Sequence, residues 1–189
     1  FLYLFNGIAK IQNKKYEDAA KTLVSGSKLV VDNDQEQIDF YSNLGDVYDK
    51  LKKFEDSDKY YQKALNIDGS NVYVLNNWAY YLSLRNEQLE KAAEMSKRSN
   101  EISPNNANFL DTYAWVLYKQ GKYSEALTWL EKAKQNSSEV SGTVLEHYGD
   151  ILFKLGRASE AIEYRQKAKK AGDHSELLDK KLSDKKLYD

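Results

Sequence analysis

Cysteine is missing from this 189-residue chain, which excludes disulfides and thiol chemistry and leaves the compartment open. Proline occurs once, at Pro104, and histidine twice, at His147 and His174. No run approaches 18 apolar residues, so the sequence holds no helix that inserts directly into a membrane. Charge of one sign is also lacking. With 28 Lys and Arg against 29 Asp and Glu the net charge is −1, which argues against broad binding to nucleic acid or anionic lipid. There is no glycine-rich phosphate loop and no nucleophile elbow. An initiator methionine and a signal-peptide layout are absent too.

The sequence does hold a repeated amphipathic pattern. Residues 110–133, LDTYAWVLYKQGKYSEALTWLEKA, read as two helices joined at Gly121. Leu110, Tyr113, Ala114 and Leu117 share one face of the first, at offsets of three, four and seven. Tyr123, Ala126, Leu127, Leu130 and Ala133 do the same in the second. Gly121 suits a helix stop, because glycine enters the left-handed region without a side-chain penalty. Ala114 and Ala126 let the paired helices approach closely, and larger residues there would cost roughly 1–3 kcal/mol.

Four other stretches repeat this layout. The small residue of the first helix recurs at Gly7, Gly45, Ala79, Ala114 and Gly149, at spacings of 38, 34, 35 and 35. The small residue of the second helix recurs at Ala19, Ser57, Ala92, Ala126 and Ala161. Tyr16, Phe54, Leu89, Tyr123 and Ala158 precede it by three. One such hairpin cannot bury its apolar face alone, so neighbours are required. With 41% hydrophobic residues, the chain is well able to bury a continuous core. Core packing is the default reading of most of its fifteen tyrosines.

A period near 34 with this residue set resembles the tetratricopeptide repeat family. The best matches are LGDVYDKLKKFEDSDKYYQKAL, YAWVLYKQGKYSEALTWLEKA and YGDILFKLGRASEAI. The family's helix-ending proline survives only at Pro104, with Gly69 and Ser138 in its place elsewhere. The resemblance implies an all-α fold, a right-handed α-solenoid of about five helix-turn-helix repeats with a C-terminal capping helix. The repeats are expected at about 1–33, 35–69, 70–105, 106–138 and 140–171, with the capping helix and tail at 172–189. The stretches LNNWAYYLS, LDTYAWVLYKQGKYSEA and LEHYGDI are similar in style to C-terminal arrays of long bacterial proteins of this family. Some of those carry lipoprotein-type N-termini, so a cytoplasmic and an envelope or periplasmic location both stay open.

The two ends read differently. Phe1, Leu2, Tyr3, Leu4, Phe5, Ile8 and Ile11 make the opening helix apolar nearly all round, whereas a terminal helix in water should keep a polar face. The expectation is a fragment cut within a longer array; the other reading is a self-association surface. In the closing segment, Leu177, Leu178 and Leu182 are placed on one side. The lysines 180, 181, 185 and 186 are taken as a solvated face alternating with aspartates.

The resemblance further implies that first helices line a concave groove and that their free positions meet a ligand. Register places Asp39, Ser42, Asp46 and Asp49 there from the second repeat, and Tyr73, Asn76, Tyr80 and Ser83 from the third. The fourth supplies Asn108, Asp111, Trp115 and Tyr118, and the fifth Glu146, Asp150 and Phe153. The expected partner-binding set is Asn76, Tyr80, Asp111, Trp115, Tyr118, Glu146 and Asp150. Its aromatic and acidic character suits a protein or peptide with aromatic, aliphatic or basic side chains. Family members that grip acidic chaperone tails use lysine, asparagine and arginine in this groove. Here only Asn76 has that chemistry, which argues against such a ligand.

Chemistry finds little support. His147 lies near Glu146 and Asp150 but has no second histidine nearby, so it and His174 read as structural or surface residues, with no metal site. The carboxylates Asp46, Asp49, Asp111 and Asp150 read as solvated groove charges rather than a general acid and base. Asn136-Ser137-Ser138 is a formal glycosylation triplet that arises often by chance. The expectation is a non-catalytic interaction scaffold or adaptor without cofactor. The alternatives are a structural or oligomerising segment, or the regulatory region of an enzyme whose catalytic domain lies upstream.

Overall fold

The structure, a computed structural model, describes residues 1–137 and 139–188. Ser138, which completes the glycosylation triplet and stands at one proline position, lies outside the described residues, as does Asp189. Eleven helices and no strand occur among the described residues. The first helices of successive repeats are α1 (Leu2–Gln12), α3 (Asp34–Lys50), α5 (Val72–Arg85), α7 (Ala107–Lys119) and α9 (Gly142–Lys154). The second helices are α2 (Tyr16–Ser27), α4 (Phe54–Ile67), α6 (Leu89–Ile102), α8 (Tyr123–Gln135) and α10 (Ala158–Ala171). A short α11 (Leu178–Asp184) follows.

The two kinds of helix start differently. Asn33, Asn71, Asn106 and Ser141 accept hydrogen bonds from backbone N–H groups in the first turns of α3, α5, α7 and α9. These caps satisfy donors that a helix start leaves orphaned. The second helices begin instead at Lys15, Lys53, Gln88, Lys122 and Arg157, none of which supplies a side-chain cap. Their starts are fixed by the tight turn before them.

That turn is the same five times. The N–H groups of Lys15, Lys53, Glu87, Lys122 and Arg157 each bond to the carbonyl five residues back. The residue before each has positive φ: Lys14, Lys52, Asn86, Gly121 and Gly156. This is a Schellman stop, in which glycine is favoured but not obligatory. Only the fourth and fifth turns use glycine; Lys14 and Lys52 take the left-handed conformation at a cost. The third turn carries one residue more than the others, a second left-handed residue, Gln88. α2 ends at Ser27, because the Leu29 N–H bonds back to Gly26 in a tightened turn and Asp32 has positive φ.

The chain forms two compact units, Phe1–Tyr81 and Leu82–Asp189. In the first, Leu4, Ala19, Ala20, Leu23, Phe40, Leu44 and Val47 make a continuous core. A Cβ at Gly7 would lie 2.4 Å from Leu23, and one at Gly45 would lie 2.7 Å from the Tyr61 ring. Ser57 donates its hydroxyl to the Gly45 carbonyl at 2.9 Å. The small residues therefore set the spacing of paired helices, as the sequence suggests. Gly26 makes an approach that the repeat pattern does not announce, meeting Tyr3 and Phe40.

In the second unit Ala114, Ala126, Leu130, Ile151, Ala161 and Ala168 are fully or almost fully buried between α7, α8, α9 and α10. A Cβ on Gly149 would lie 2.7 Å from the Arg165 side chain, and one on Gly142 would collide with the Gly172 carbonyl. The closing helix departs from its expected face. Leu178 is fully buried, but Leu177 is 41% exposed and Lys181, expected in solvent, is only 5% exposed. The cause is a pair of carboxylates on α9 described below.

Two substitutions separate the demands made on glycine. Gly121→Ala adds strain at φ +78° with nothing within 4 Å of the new methyl group, and should cost about 1 kcal/mol. Gly45→Ala should cost roughly 1–3 kcal/mol by pushing Tyr61 away. Urea midpoints measure both; an unchanged midpoint for Gly45→Ala would show that α3 and α4 have room to spare.

Candidate functional site

Counting from the small residue of each first helix puts the expected partner-binding residues at three repeated positions. Three before it stand Asn76, Asp111 and Glu146; one after it stand Asp46, Tyr80, Trp115 and Asp150. Four after it come Asp49, Ser83, Tyr118 and Phe153. Asn76, Asp111, Trp115, Tyr118, Glu146 and Asp150 are buried, and Tyr80 is half-buried. The carboxylates expected in water are instead engaged with groups of the chain itself.

In the first unit, Asp46 accepts a short hydrogen bond from the Tyr61 hydroxyl, and the Asn77 side chain also bonds to it. Burial raises the Asp46 carboxyl to about 6, against the opposing pull of Tyr61, nearby Lys50 and Asn77. Burial and the Asp46 charge together hold the Tyr61 hydroxyl well above its ordinary range. Asn76 Nδ2 donates to the side-chain oxygen Oδ1 of Asn77 at 3.4 Å. Tyr80 lies beside Tyr81, with ring centres 5.8 Å apart, and Lys50 sits 5.4 Å over the Tyr81 ring. Tyr73, Asn77 and Tyr80 follow one another at offsets of four and seven on α5, with Tyr73 65% exposed.

In the second unit, α7 and α9 are joined by an aromatic stack. Trp115 lies between Tyr118, at 4.6 Å and 13°, and His147, at 4.0 Å and 16°. Lys119 sits 5.2 Å over the Trp115 ring, a cation–π contact. Nδ1 of His147 lies 2.9 and 3.2 Å from the two oxygens of Asp111. His147 of α9 thus links to Asp111 and Trp115 of α7.

Beyond the stack lies an ionic cluster. Arg165 is fully buried and donates twice to Asp150 Oδ1, at 3.2 and 2.8 Å. Lys181 of α11 donates to Glu146 Oε1 at 2.8 Å and to Asp150 Oδ2. Ser175 adds its N–H and hydroxyl to Glu146, at 2.7 and 2.6 Å. Burial alone would raise the Glu146 carboxyl, but the bonds from Lys181 and Ser175 outweigh it and hold the group below its usual range.

Sequence reading missed Tyr61, Arg165, Ser175 and Lys181 as members of this face. Two had a signal. Tyr61 and Arg165 stand four residues after the small residue of the second helix, where Leu23 and Leu130 are core, so a polar group there needs a buried partner. Lys181 stands 35 residues after Glu146, on the repeat period continued past the last hairpin. Among the described residues no group of three His, Cys, Asp or Glu converges as for a metal, and no helix is long and apolar enough to cross a membrane.

Comparison with known proteins agrees with the repeat. Residues 38–71 match the family described as tetratricopeptide repeat, and residues 85–168 match anaphase-promoting complex, cyclosome, subunit 3. The structure is similar to one solved in the functional characterisation of Pseudomonas aeruginosa pilF, with TM-score 0.75 and 21% identity over 97% of this chain and 82% of that one. It is also similar to TTC0263, a thermophilic TPR protein in Thermus thermophilus, with TM-score 0.79 and 16% identity over 97% and 96% of the two chains. MamA of AMB-1 matches with TM-score 0.66 and 20% identity over 95% and 99%. At these identities the likeness is one of fold. No curated protein matches the sequence. The repeat type and the all-helical, α-solenoid class read from the sequence are borne out.

The two shifted carboxylates predict opposite responses to acid. The folded state binds the Asp46 proton more tightly than the unfolded chain does, with about 6 against 3.8. The stability from this group is therefore full below the unfolded value and lost as pH rises through the folded one, by on the order of 1–3 kcal/mol. Glu146 is depressed, so its contribution is present above its unfolded value and lost as pH falls through the folded one. Asp46→Asn keeps an acceptor for Tyr61 and should raise stability at pH 7 while removing the loss between pH 4 and 7. Urea midpoints across that range test it; a less stable Asp46→Asn chain at pH 7 would refute the sign.

Proposed function

We propose that this array of tetratricopeptide repeats is a non-catalytic scaffold that holds a protein or peptide against its first helices. The observation that carries the reading is the face of α5. Tyr73, Asn77 and Tyr80 form an aromatic and amide stripe in the first unit, with Tyr73 largely outside the core. Rigid aromatic side chains of this kind dominate protein interfaces, because they bring large contact area with few torsions to freeze. Asn76 lies beside the stripe. In the second unit Asp111, Trp115, Tyr118, Glu146 and Asp150 would act as the rigid floor of the same kind of face, giving it acidic and aromatic character. A partner with aromatic, aliphatic or basic side chains suits that character. Catalysis finds no support in the same carboxylates, since each is held by hydrogen bonds within the chain.

A second reading has its own observation. Phe1, Leu2 and Phe5 are 73%, 80% and 64% exposed, and Leu29 and Val31 are exposed beside the groove that Phe1 and Leu2 line. An apolar patch of this kind favours an oligomerising segment. Sedimentation over a hundredfold range of concentration, with Phe5→Asp as control, tests for it.

The scaffold reading is tested by affinity capture with the wild-type chain beside Tyr73→Ala/Tyr80→Ala. Those side chains are accessible enough for the variant to fold. Trp115→Ala would not serve, since truncating a buried tryptophan costs roughly 3–5 kcal/mol. The expected result is a bound protein whose retention falls at least tenfold in the variant. Equal retention by both chains would remove α5 from the binding face, and no retained protein would leave the oligomerising reading.

A further inference from the structure

We propose that the last repeat is a receptor for a lysine carried on a partner's helix, and that α11 of this chain occupies the site in cis until such a helix displaces it. The inference rests on the scaffold reading and names the chemistry of what one part of it binds.

The charge balance of the cluster defines the occupant. Glu146 and Asp150 bring two negative charges and Arg165 one positive charge, all on α9 and α10. Without α11 the cluster carries one buried negative charge in excess. Arg165 saturates Asp150 Oδ1, which leaves Asp150 Oδ2 and Glu146 Oε1 facing a common point. Lys181 Nζ fills that point. A single ammonium is compact enough to meet both oxygens, whereas a planar guanidinium favours a bidentate approach to one carboxylate. The site thus selects lysine, and Leu178, fully buried one turn earlier, adds an apolar requirement three residues before it.

The cis occupant is held by little else. α11 has seven residues, its Leu177 N-cap makes no side-chain hydrogen bond, and it ends at Lys185 with positive φ. Leu178 and Lys181 are its buried side chains. Among the described residues the remaining ties are Ser175 to Glu146, the Lys186 carbonyl to Arg165, the Thr143 hydroxyl to the Asp173 carbonyl at 2.7 Å and an exposed pair between Lys169 and Asp179. A helix this short does not persist in water once undocked. Its connection begins with Gly172 and Asp173, both at positive φ.

Register explains why a partner would compete. Lys181 stands 35 residues after Glu146, so α11 takes the place of a further first helix. The preceding first helices, α3, α5, α7 and α9, run for 13 to 17 residues. A partner helix of that length, with leucine three residues before its lysine, would make the same two buried contacts and continue for further turns. The tethered α11 wins only through its high effective concentration.

The test uses the full chain with Leu178→Ala and Lys181→Met to empty the site. A fluorescein-labelled peptide of residues 174–188 is the probe, and the same peptide with methionine for its Lys181 is the control. The emptied chain should bind the probe at least tenfold more tightly than wild type, by anisotropy, and should bind the control at least tenfold more weakly than the probe. Equal binding by both chains, or by both peptides, would overturn the proposal. If the emptied chain fails to fold, hydrogen exchange on wild type decides. Excess probe should speed exchange at Ser175 and in α11 at least tenfold while α9 stays protected, and no change would overturn it. A wild-type dimer abolished by Lys181→Met would also overturn it, since the displacing helix would then be a second copy's. Failure here with capture through α5 intact would leave the scaffold reading standing; failure of capture with the peptide result intact would remove the scaffold reading and leave only the lysine site.

Discussion

The close approach of the two helices in each hairpin is the constraint on which the rest depends. A glycine or alanine on the first helix does more than save space. It admits the side chain four residues after the small residue of the second helix: Leu23 against Gly7, Tyr61 against Gly45 and Arg165 against Gly149. Two of these three carry a polar group to the far side of the first helix. Tyr61 reaches Asp46 and Arg165 reaches Asp150, both one residue after their glycine. In the fourth repeat the small residue is Ala114, the admitted residue is Leu130, and the next position is Trp115. The character of the first-helix face is therefore set from behind, by what the small residue lets through.

Buried charges make that arrangement demanding. A carboxylate taken out of water must be matched by donors, and the quality of the match differs between the units. Asp46 has neutral donors, Tyr61 and Asn77, with Lys50 near but not bonded, so burial wins and its acid is weakened. Glu146 has an ammonium, a hydroxyl and a backbone N–H, so hydrogen bonding wins and its acid is strengthened. Asp111 is matched by His147 from the next first helix, and Glu146 by Lys181 from the one after. Each repeat in this unit leaves an acceptor that the following first helix must satisfy, which ties order in one hairpin to the presence of the next.

Much of the fold was legible because repetition averages out local ambiguity. The spacing of small residues located the hairpins, and Gly121 marked a turn for a reason its backbone confirms at φ +78°. Lys14 and Lys52 did not announce the same turn, since lysine in the left-handed region is a local cost accepted for the packing around it. The polar face was less legible. Asp46, Asp111 and Asp150 read as solvated charges because nothing local distinguishes a carboxylate in water from one bound by a residue 15 or 36 positions away. Arg165 was the readable exception: an arginine at a position held by leucine in other repeats requires a buried anion.

The pairing of these buried carboxylates decides what the acidic character of the face means. Read as free charge, four carboxylates would attract any basic surface and specify little. Read as they stand, three are engaged by groups within the hairpins: Asp46 by the Tyr61 hydroxyl, Asp111 by His147 Nδ1, Asp150 by Arg165. Glu146, and Asp150 through its second oxygen, depend for the rest of their matching on a segment outside the five hairpins. The chemistry of the second unit therefore concentrates at this pair of carboxylates, whose shared partner Lys181, with Ser175 on Glu146, lies beyond the last hairpin. In the reading proposed above, such a scaffold discriminates by who supplies one ammonium to two buried acids, and its general acidity contributes little.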